Sequence, residues 1–209
     1  MRKPAHRTKT RAASRDPERT RQRILTAALR EFSAKGLAGA RVDAIARRAG
    51  VNKRMLYHYF GNKHDLFSAV LRRKLTERDA LLAVAPEDAS DALAYWFAAA
   101  CNDPDWIRLL EWEALQAGEK RLVLEGRRRV GAENAVERVR RRQARGLLKA
   151  NLDTRHLLLS VMALTAYPLA FPQVTRLVTG RSAFDPAFQD ERREFLRQLA
   201  DALRGQVHA

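Results

Sequence analysis

Apolar residues recur at helical spacing along almost the whole chain, and no segment shows the period-two alternation of a half-buried strand. Asp16 followed by Pro17 reads as an N-cap and first helical position. Ile24, Ala27, Ala28 and Phe32 then fall at i, i+3, i+4 and i+8, with Leu25 and Leu29 flanking, and Gly36 is the expected stop. Two short helices follow. Val42, Ile45, Ala46 and Ala49 form one face of the first, and Gly50 stands where a left-handed C′ residue ends it. Asn52 is a good N-cap for the second, since its side-chain oxygen can accept from the free amides of the first turn. In that helix Leu56 and Phe60, with Met55 and Tyr59 beside them, make an apolar side, while Lys53, Arg54, Tyr57 and His58 point away. A fourth helix starts at Asn62 with Asp65 as capping partner, and buries Phe67, Val70, Leu71 and Leu75 on its way to about Val84.

Pro86 breaks the pattern. The set Leu93, Trp96, Phe97 and Ala100 predicts a helix from Asp91 to Cys101, and Asp103-Pro104 opens another carrying Trp106, Leu109, Leu110 and Trp112. A long charged helix is expected over roughly 119–148, with Arg127, Arg128, Arg129, Arg138, Arg140, Arg141, Arg142 and Arg145 interleaved with Glu125, Glu133 and Glu137. Its spacing predicts a solvated face laced by i,i+4 pairs, with a second nucleic-acid surface as the other reading. Asp153 or Thr154 caps the next helix, whose apolar run reaches Pro168 and Pro172. Being apolar nearly all round, it is expected to be buried on more than one side. The last helix opens at Asp185-Pro186, carries Phe188, Phe195, Leu196, Leu199 and Leu203, and closes at Gly205. The fold class is all-α: an N-terminal three-helix unit (16–75) joined to a C-terminal helical body (76–209), with no internal repeat.

Charge changes the picture. The net charge of +16 is concentrated in residues 1–74, which carry 20 Lys/Arg against 5 Asp/Glu, whereas residues 75–209 carry 20 against 19. A basic first third on a nearly neutral remainder implies a polyanion-binding module on a differently employed body. Residues 1–15 contain no acid and little to bury, and read as a disordered basic arm: either a solvated tail or a strand that lies in the minor groove.

The single cysteine, Cys101, excludes an internal disulfide framework and fits a reducing compartment; its apolar setting reads as a buried small hydrophobe. The histidines show no metal-ligand spacing, so neither metal nor cofactor is expected. No apolar signal region stands at the N-terminus, and the run from Leu157 to Phe171, interrupted by Ser160, Thr165 and Pro168, falls short of a ~20-residue span. A cytoplasmic protein is the expectation. No acid–base pair, nucleophile constellation or phosphate loop stands out, and no enzyme is expected.

Two short helices, a tight turn with glycine, and a second helix with a cationic, aromatic outer face form the pattern of a helix-turn-helix. The stretch from Ile24 to Leu71 also resembles the DNA-binding domain of the tetracycline-repressor (TetR) family of bacterial regulators. It carries I-L-x-A-A-L-x-E-F-x-x-K-G, V-D-A-I-A-R-R-A-G-V-N-K and L-Y-H-Y-F-x-N-K-x-D-L-F in family order and spacing. A weaker resemblance, to the regulatory domain of some members, lies in P-D-W-I-R-L-L-E-W-E-A-L. Arg41 departs from the capping Thr usual in the family, and Arg54 and Met55 replace a small and a hydroxyl residue, so the base-reading surface is expected to be unusual.

The expected DNA contacts are Arg41, Val42, Asn52, Lys53, Arg54, Met55, Tyr57, His58, Tyr59 and Lys63. Lys53 and Arg54 sit in the first turn of the second motif helix, where either reaches guanine O6 and N7. The resemblance implies that Tyr57, Tyr59 and Lys63 meet phosphates. It also implies a homodimer held by the last two long helices, through Leu158, Met162, Phe195, Leu199 and Leu203. A small-molecule pocket would draw on Trp96, Phe97, Trp106, Trp112, Tyr167 and Phe171 as walls, with Cys101 or Gln116 (or His156) for polarity; aromatic residues at this spacing also make plain core. The expected function is a ligand-responsive DNA-binding regulator, a repressor released by an unidentified effector. The alternative is a basic architectural protein that coats DNA without sequence choice.

Overall fold

A computed structural model describes residues 16–117 and 122–204, and among these every regular element is a helix. The order is α1 (Pro17–Gly39), α2 (Val42–Ala49), α3 (Lys53–Phe60), α4 (Lys63–Val84), α5 (Ala89–Cys101), α6 (Pro104–Ala117), α7 (Glu125–Ala144), α8 (Thr154–Ala170), α9 (Pro172–Thr179) and α10 (Pro186–Ala202). Residues 1–15, which hold the expected basic arm, and Gly205 lie outside the described residues.

The capping chemistry read from the sequence is present. Asp16, Asn52, Asn62, Asp153 and Asp185 each accept from first-turn amides of the helix that follows. Asp88 does the same for α5, which therefore starts at Ala89, two residues before the expected position. Arg41 precedes α2 with no side-chain cap.

α1 to α4 enclose a core built on Ile24, Phe32, Ile45, Leu56, Leu66 and Val70, all fully buried. Phe32 meets Phe67 edge-to-face at 5.1 Å, joining α1 to α4. The same apolar cluster continues into the body through Leu93, Phe97, Leu109 and Leu196. α4 crosses position 75 without interruption and so belongs to both halves.

Gly36 does not end α1 but kinks it, with φ 66° and ψ 177°, before one further turn to Gly39. The cause is tertiary. A Cβ at Gly36 would collide with the side chains of Trp112 and Gln116 on α6, so only glycine lets that helix approach. The charged helix is shorter than expected: α7 begins at Glu125 behind Leu124, the one non-glycine residue with positive φ among those described, and ends at Ala144.

The run toward Pro172 is two helices rather than one, with α8 and α9 meeting at 88°. Proline explains the break and where the orphaned carbonyls go. Pro168 and Pro172 have no amide to offer Leu164 and Pro168 four residues back. Arg192 of α10 donates to the Leu164 carbonyl at 3.1 Å, and the Thr175 hydroxyl donates to that of Pro168 at 2.9 Å. Among the described residues no single helix is long and apolar enough to cross a membrane; the bent α8–α9 pair passes by length and composition only.

One expectation is corrected for the single chain, and another is refined. α8 is not buried on several sides within one chain: Leu159, Met162 and Tyr167 are 60, 49 and 50% exposed. Of the eight arginines expected on the charged helix, Arg127, Arg129, Arg140, Arg141 and Arg145 are exposed, as a solvated face requires, but several of the eight are turned onto the protein itself. Arg138 donates to the carbonyls of Leu82 (2.8 Å) and Ala85 (3.1 Å), Arg142 to those of Pro86 and Glu87, and Arg127 to Thr76 and Asp79. Arg138 thereby closes the C-terminal end of α4, where carbonyls lack helical donors, and Arg142 holds the segment just beyond it.

Candidate nucleic-acid interface

Gly50, at φ 64°, takes the left-handed conformation that turns the chain from α2 toward α3, and its amide closes on the carbonyls of Ala46 and Arg47. Asn52 then accepts from the Met55 amide at 2.7 Å. The buried side of α3 is Leu56 and Phe60; Lys53, Arg54, Tyr57 and His58 face outward, and Met55 and Tyr59 lie half-buried at the margins. His58 and Tyr59 meet edge-to-face at 5.9 Å.

Some of the expected contact residues are already engaged. Val42 is in the core, so its side chain reads nothing and only its backbone, in the first turn of α2, can face a phosphate. The Asn52 side chain is occupied as a cap. Lys63 donates to the carbonyls of Ala38 and Ala40, at 3.0 Å each, where it closes the end of α1. An ammonium has three donors, so one is left for a phosphate. Lys53 pairs with Asp43 at 3.2 Å, both exposed, an attraction that a phosphate can displace. Arg54 has no hydrogen-bond or ion-pair partner among the described residues, and the Arg41 side chain is likewise exposed.

Sequence reasoning missed Glu31. Its side chain is 3% exposed, bonded to Lys35 at 2.8 Å and to the Arg41 amide at 3.3 Å, with Arg48 at 3.7 Å. Burial pushes this carboxyl up, but the Lys35 bond, the Arg41 amide and the charges of Lys35 and Arg48 outweigh it and hold the pKa below the usual range. Glu31 thereby fixes the α1–α2 corner that presents Arg41. The i,i+4 spacing of Glu31 and Lys35 was the available signal; that the pair faces α2 was not in it.

The expected pocket residues fall into separate groups rather than around one described cleft. Trp112 and Gln116 lie against the Gly36 kink, and the Trp112 indole donates to the Ser33 carbonyl at 3.1 Å. Trp96 and Trp106 share the Arg78 guanidinium, 5.0 and 6.0 Å from the ring centres. Phe97 is fully buried in the core. Cys101 is half-buried, with burial pushing its thiol up to about 11. Tyr167 and Phe171 pair at 4.9 Å and are both half exposed. Two open clefts, of about 340 Å³ on α1–α2 and about 440 Å³ between α4 and α7, contain none of the eight. What Trp112, Trp96 and Trp106 do form is the joint between the halves. Ser33 donates to Asp105 at 2.7 Å and Lys74 pairs with Asp103 at 2.6 Å, so α6 and its approach are tied to both α1 and α4.

Of the expected dimer residues, Met162 and Phe195 are 49 and 48% exposed, and Leu158, Leu199 and Leu203 are half-buried. α9 adds Leu177 and Val178, 84 and 79% exposed, which the sequence reading passed over.

An apolar-backed helix in a helix-turn-helix, its outer side set with Lys53, Arg54 and aromatics, defines a DNA-binding regulator built on an all-helical body. The comparisons agree. Residues 24–70 match the family of bacterial regulatory proteins, tetR family, and residues 92–201 match the tetracyclin repressor-like C-terminal domain. The chain belongs to the TetR family. It is 36% identical to the HTH-type transcriptional repressor SCO4008 of Streptomyces coelicolor over 90% of this chain and 99% of that protein. It is 29% identical to the HTH-type transcriptional repressor NicS of Pseudomonas putida, over 94 and 97% respectively. The structure of the putative transcriptional regulator SCO4942 of Streptomyces coelicolor superposes with a TM-score of 0.74 at 26% identity, covering 88% of this chain and 98% of that one.

Proposed function

We propose that the protein is a homodimeric transcriptional repressor that places two copies of α3 in successive major grooves and is released by a small-molecule effector. The observation that carries the DNA reading is the outer side of α3, where Arg54 is free and Tyr57 and His58 are exposed beside it. Arg54 reads a base edge; Arg41, Lys53, Tyr57, Tyr59 and the remaining donor of Lys63 take phosphates. Repression is supported by the names of the two relatives. Dimerisation is supported by the apolar side of α8 and α10, where Leu159, Met162 and Phe195 stand in water in a single chain.

Effector control is supported by the joint. An effector that prefers one arrangement of α5 and α6 shifts the contacts of Trp112 with Ser33 and of Asp103 with Lys74, and so biases the orientation of α1 and α4. Non-specific coating of DNA loses part of its support, because Arg138, Arg142 and Arg127 of α7 are bonded to the protein's own carbonyls and carboxylates. Footprinting on a duplex selected from random sequence tests the arrangement. Two protected half-sites about one helical turn apart are expected; a single protected half-site, or uniform protection, would contradict it.

A further inference from the structure

The cleft along α1 and α2 includes no residue of α3 or α6 in its lining. It is lined by Arg19, Gln22, Arg23, Thr26, Ala27, Arg30 and Arg48, with a volume of about 340 Å³ and no acid among its lining residues. Arg19, Arg23, Thr26 and Arg30 follow one another at i, i+4, i+7 and i+11, a single stripe on α1. Four guanidiniums along one concave strip repel one another unless an anion lies between them. The side chains of Arg19 and Arg30 have no hydrogen-bond or ion-pair partner among the described residues, and both are exposed.

The groove is anchored to the reading head. Arg23 donates to the carbonyls of Ala49 and Gly50, the second at 3.2 Å, in the turn that leads into α3. Arg48 approaches the buried carboxylate of Glu31 at 3.7 Å. The stripe is therefore fixed at Arg23, between Arg19 and Arg30, to the turn that leads into α3.

We infer that this groove is a second DNA-backbone site: it takes the phosphates that flank the major groove read by α3 and lengthens the footprint without reading sequence. The inference rests on the DNA-binding reading above and deepens it. Guanidiniums suit phosphodiester oxygens through paired donors, and a run of them at helical spacing follows a backbone rather than a single ion. Arg19 and Arg30 are the contacting residues; Arg23 and Arg48 hold the groove to the turn and to Glu31.

The test uses the full chain carrying Arg19→Gln and Arg30→Gln together, with Arg19→Lys and Arg30→Lys as the charge-preserving control. Binding to a selected operator and to a random duplex is measured across salt. The Gln pair is expected to flatten the salt slope by about two on both duplexes, so that raising salt fourfold costs it roughly tenfold less affinity than wild type. The ratio of specific to random affinity and the melting temperature stay unchanged, and the Lys pair restores the slope. An unchanged slope in the Gln pair overturns the inference. So does a melting temperature raised by inorganic tripolyphosphate in wild type but not in the Gln pair, with DNA slopes equal, because the groove would then hold a free oligophosphate. A wild-type protein with no preference for its operator would sink the repressor reading, yet the slope on random DNA would still decide this one.

Discussion

The DNA-binding unit and the α8–α10 end of the body cap their helix N-termini alike, with Asp or Asn side chains, but differ in what breaks their helices and in what they turn to water. In α1 to α4 Asp16, Asn52 and Asn62 serve amides two or three residues away, Gly50 turns the chain by its own conformation, and Lys63 and Arg23 reach the carbonyls that end α1 and α2. In α8–α9 two prolines leave carbonyls that side chains take instead, Arg192 of α10 for Leu164 and Thr175, seven residues on, for Pro168. The first unit turns free cations to water and the second turns apolar side chains to water. A surface of unpaired charge is a ready partner for a polyanion, whereas a surface of unpaired hydrophobes is a ready partner for another protein surface. The difference places the two proposed interfaces at opposite functional ends of one chain.

The largest effect should come from the apolar end. Phe195→Glu places a charge where the second copy is proposed to pack, and because Phe195 is half exposed in one chain the monomer still folds. Sedimentation should show a monomer, and operator affinity should fall about a hundredfold or more, since a lone α3 cannot span two half-sites. A dimeric Phe195→Glu protein at full affinity would move the interface elsewhere. Leu199→Glu, half-buried, should give the same dissociation with an added loss of stability.

The joint comes next. Trp112→Ala removes a half-buried ring and its bond to Ser33, and should lower unfolding free energy by roughly 2–3 kcal/mol in denaturant titrations. The variant should still bind its operator but respond poorly to effector. Release as ready as in wild type would return Trp112 to a purely structural role.

Within the DNA-binding unit, Arg54→Ala should cost about 1–3 kcal/mol of discrimination between operator and random duplex. Lys63→Ala should weaken both duplexes alike and also cost about 1 kcal/mol of stability, because two α1 carbonyls lose their donor. If Lys63→Ala changes sequence preference while Arg54→Ala does not, the docking of α3 is wrong.

The smallest effect is one of pH. Glu31 has a folded pKa below the ordinary value of 4.5, so its contribution is fully present above that value and is lost as pH falls through the depressed one. Glu31→Gln should be less stable than wild type at neutral pH and should lose less stability on acidification. Asp88, held low first by the Ser90 hydroxyl, keeps part of the acid dependence in the variant. An acid limb as steep as wild type's would remove Glu31 from the account.

The contrast also explains what the sequence disclosed. The motif helices were legible to the residue because their limits are written in caps and in Gly50, and the outward set Lys53, Arg54, Tyr57 and His58 followed from helical period alone. Gly36 looked like a stop because its kink depends on Trp112, seventy-six positions on. The 88° break before α9 was hidden in an apolar run whose prolines were visible but whose rescuing donors were not. Arg138 and Arg142 read as solvated because nothing in their own helix shows that α4 ends beside them. The candidate pocket was the least legible element, since Trp96, Trp106 and Trp112 had the composition of a ligand site and the positions of a joint.

The outward face of α3 is proposed to read sequence, and the ratio of affinities for a selected operator and for random duplex at one fixed salt concentration tests that reading. Specific regulators bind their sites about a thousandfold or more tighter than random DNA, and that ratio is expected here, falling in Arg54→Ala. A ratio near one in the wild-type protein would contradict it.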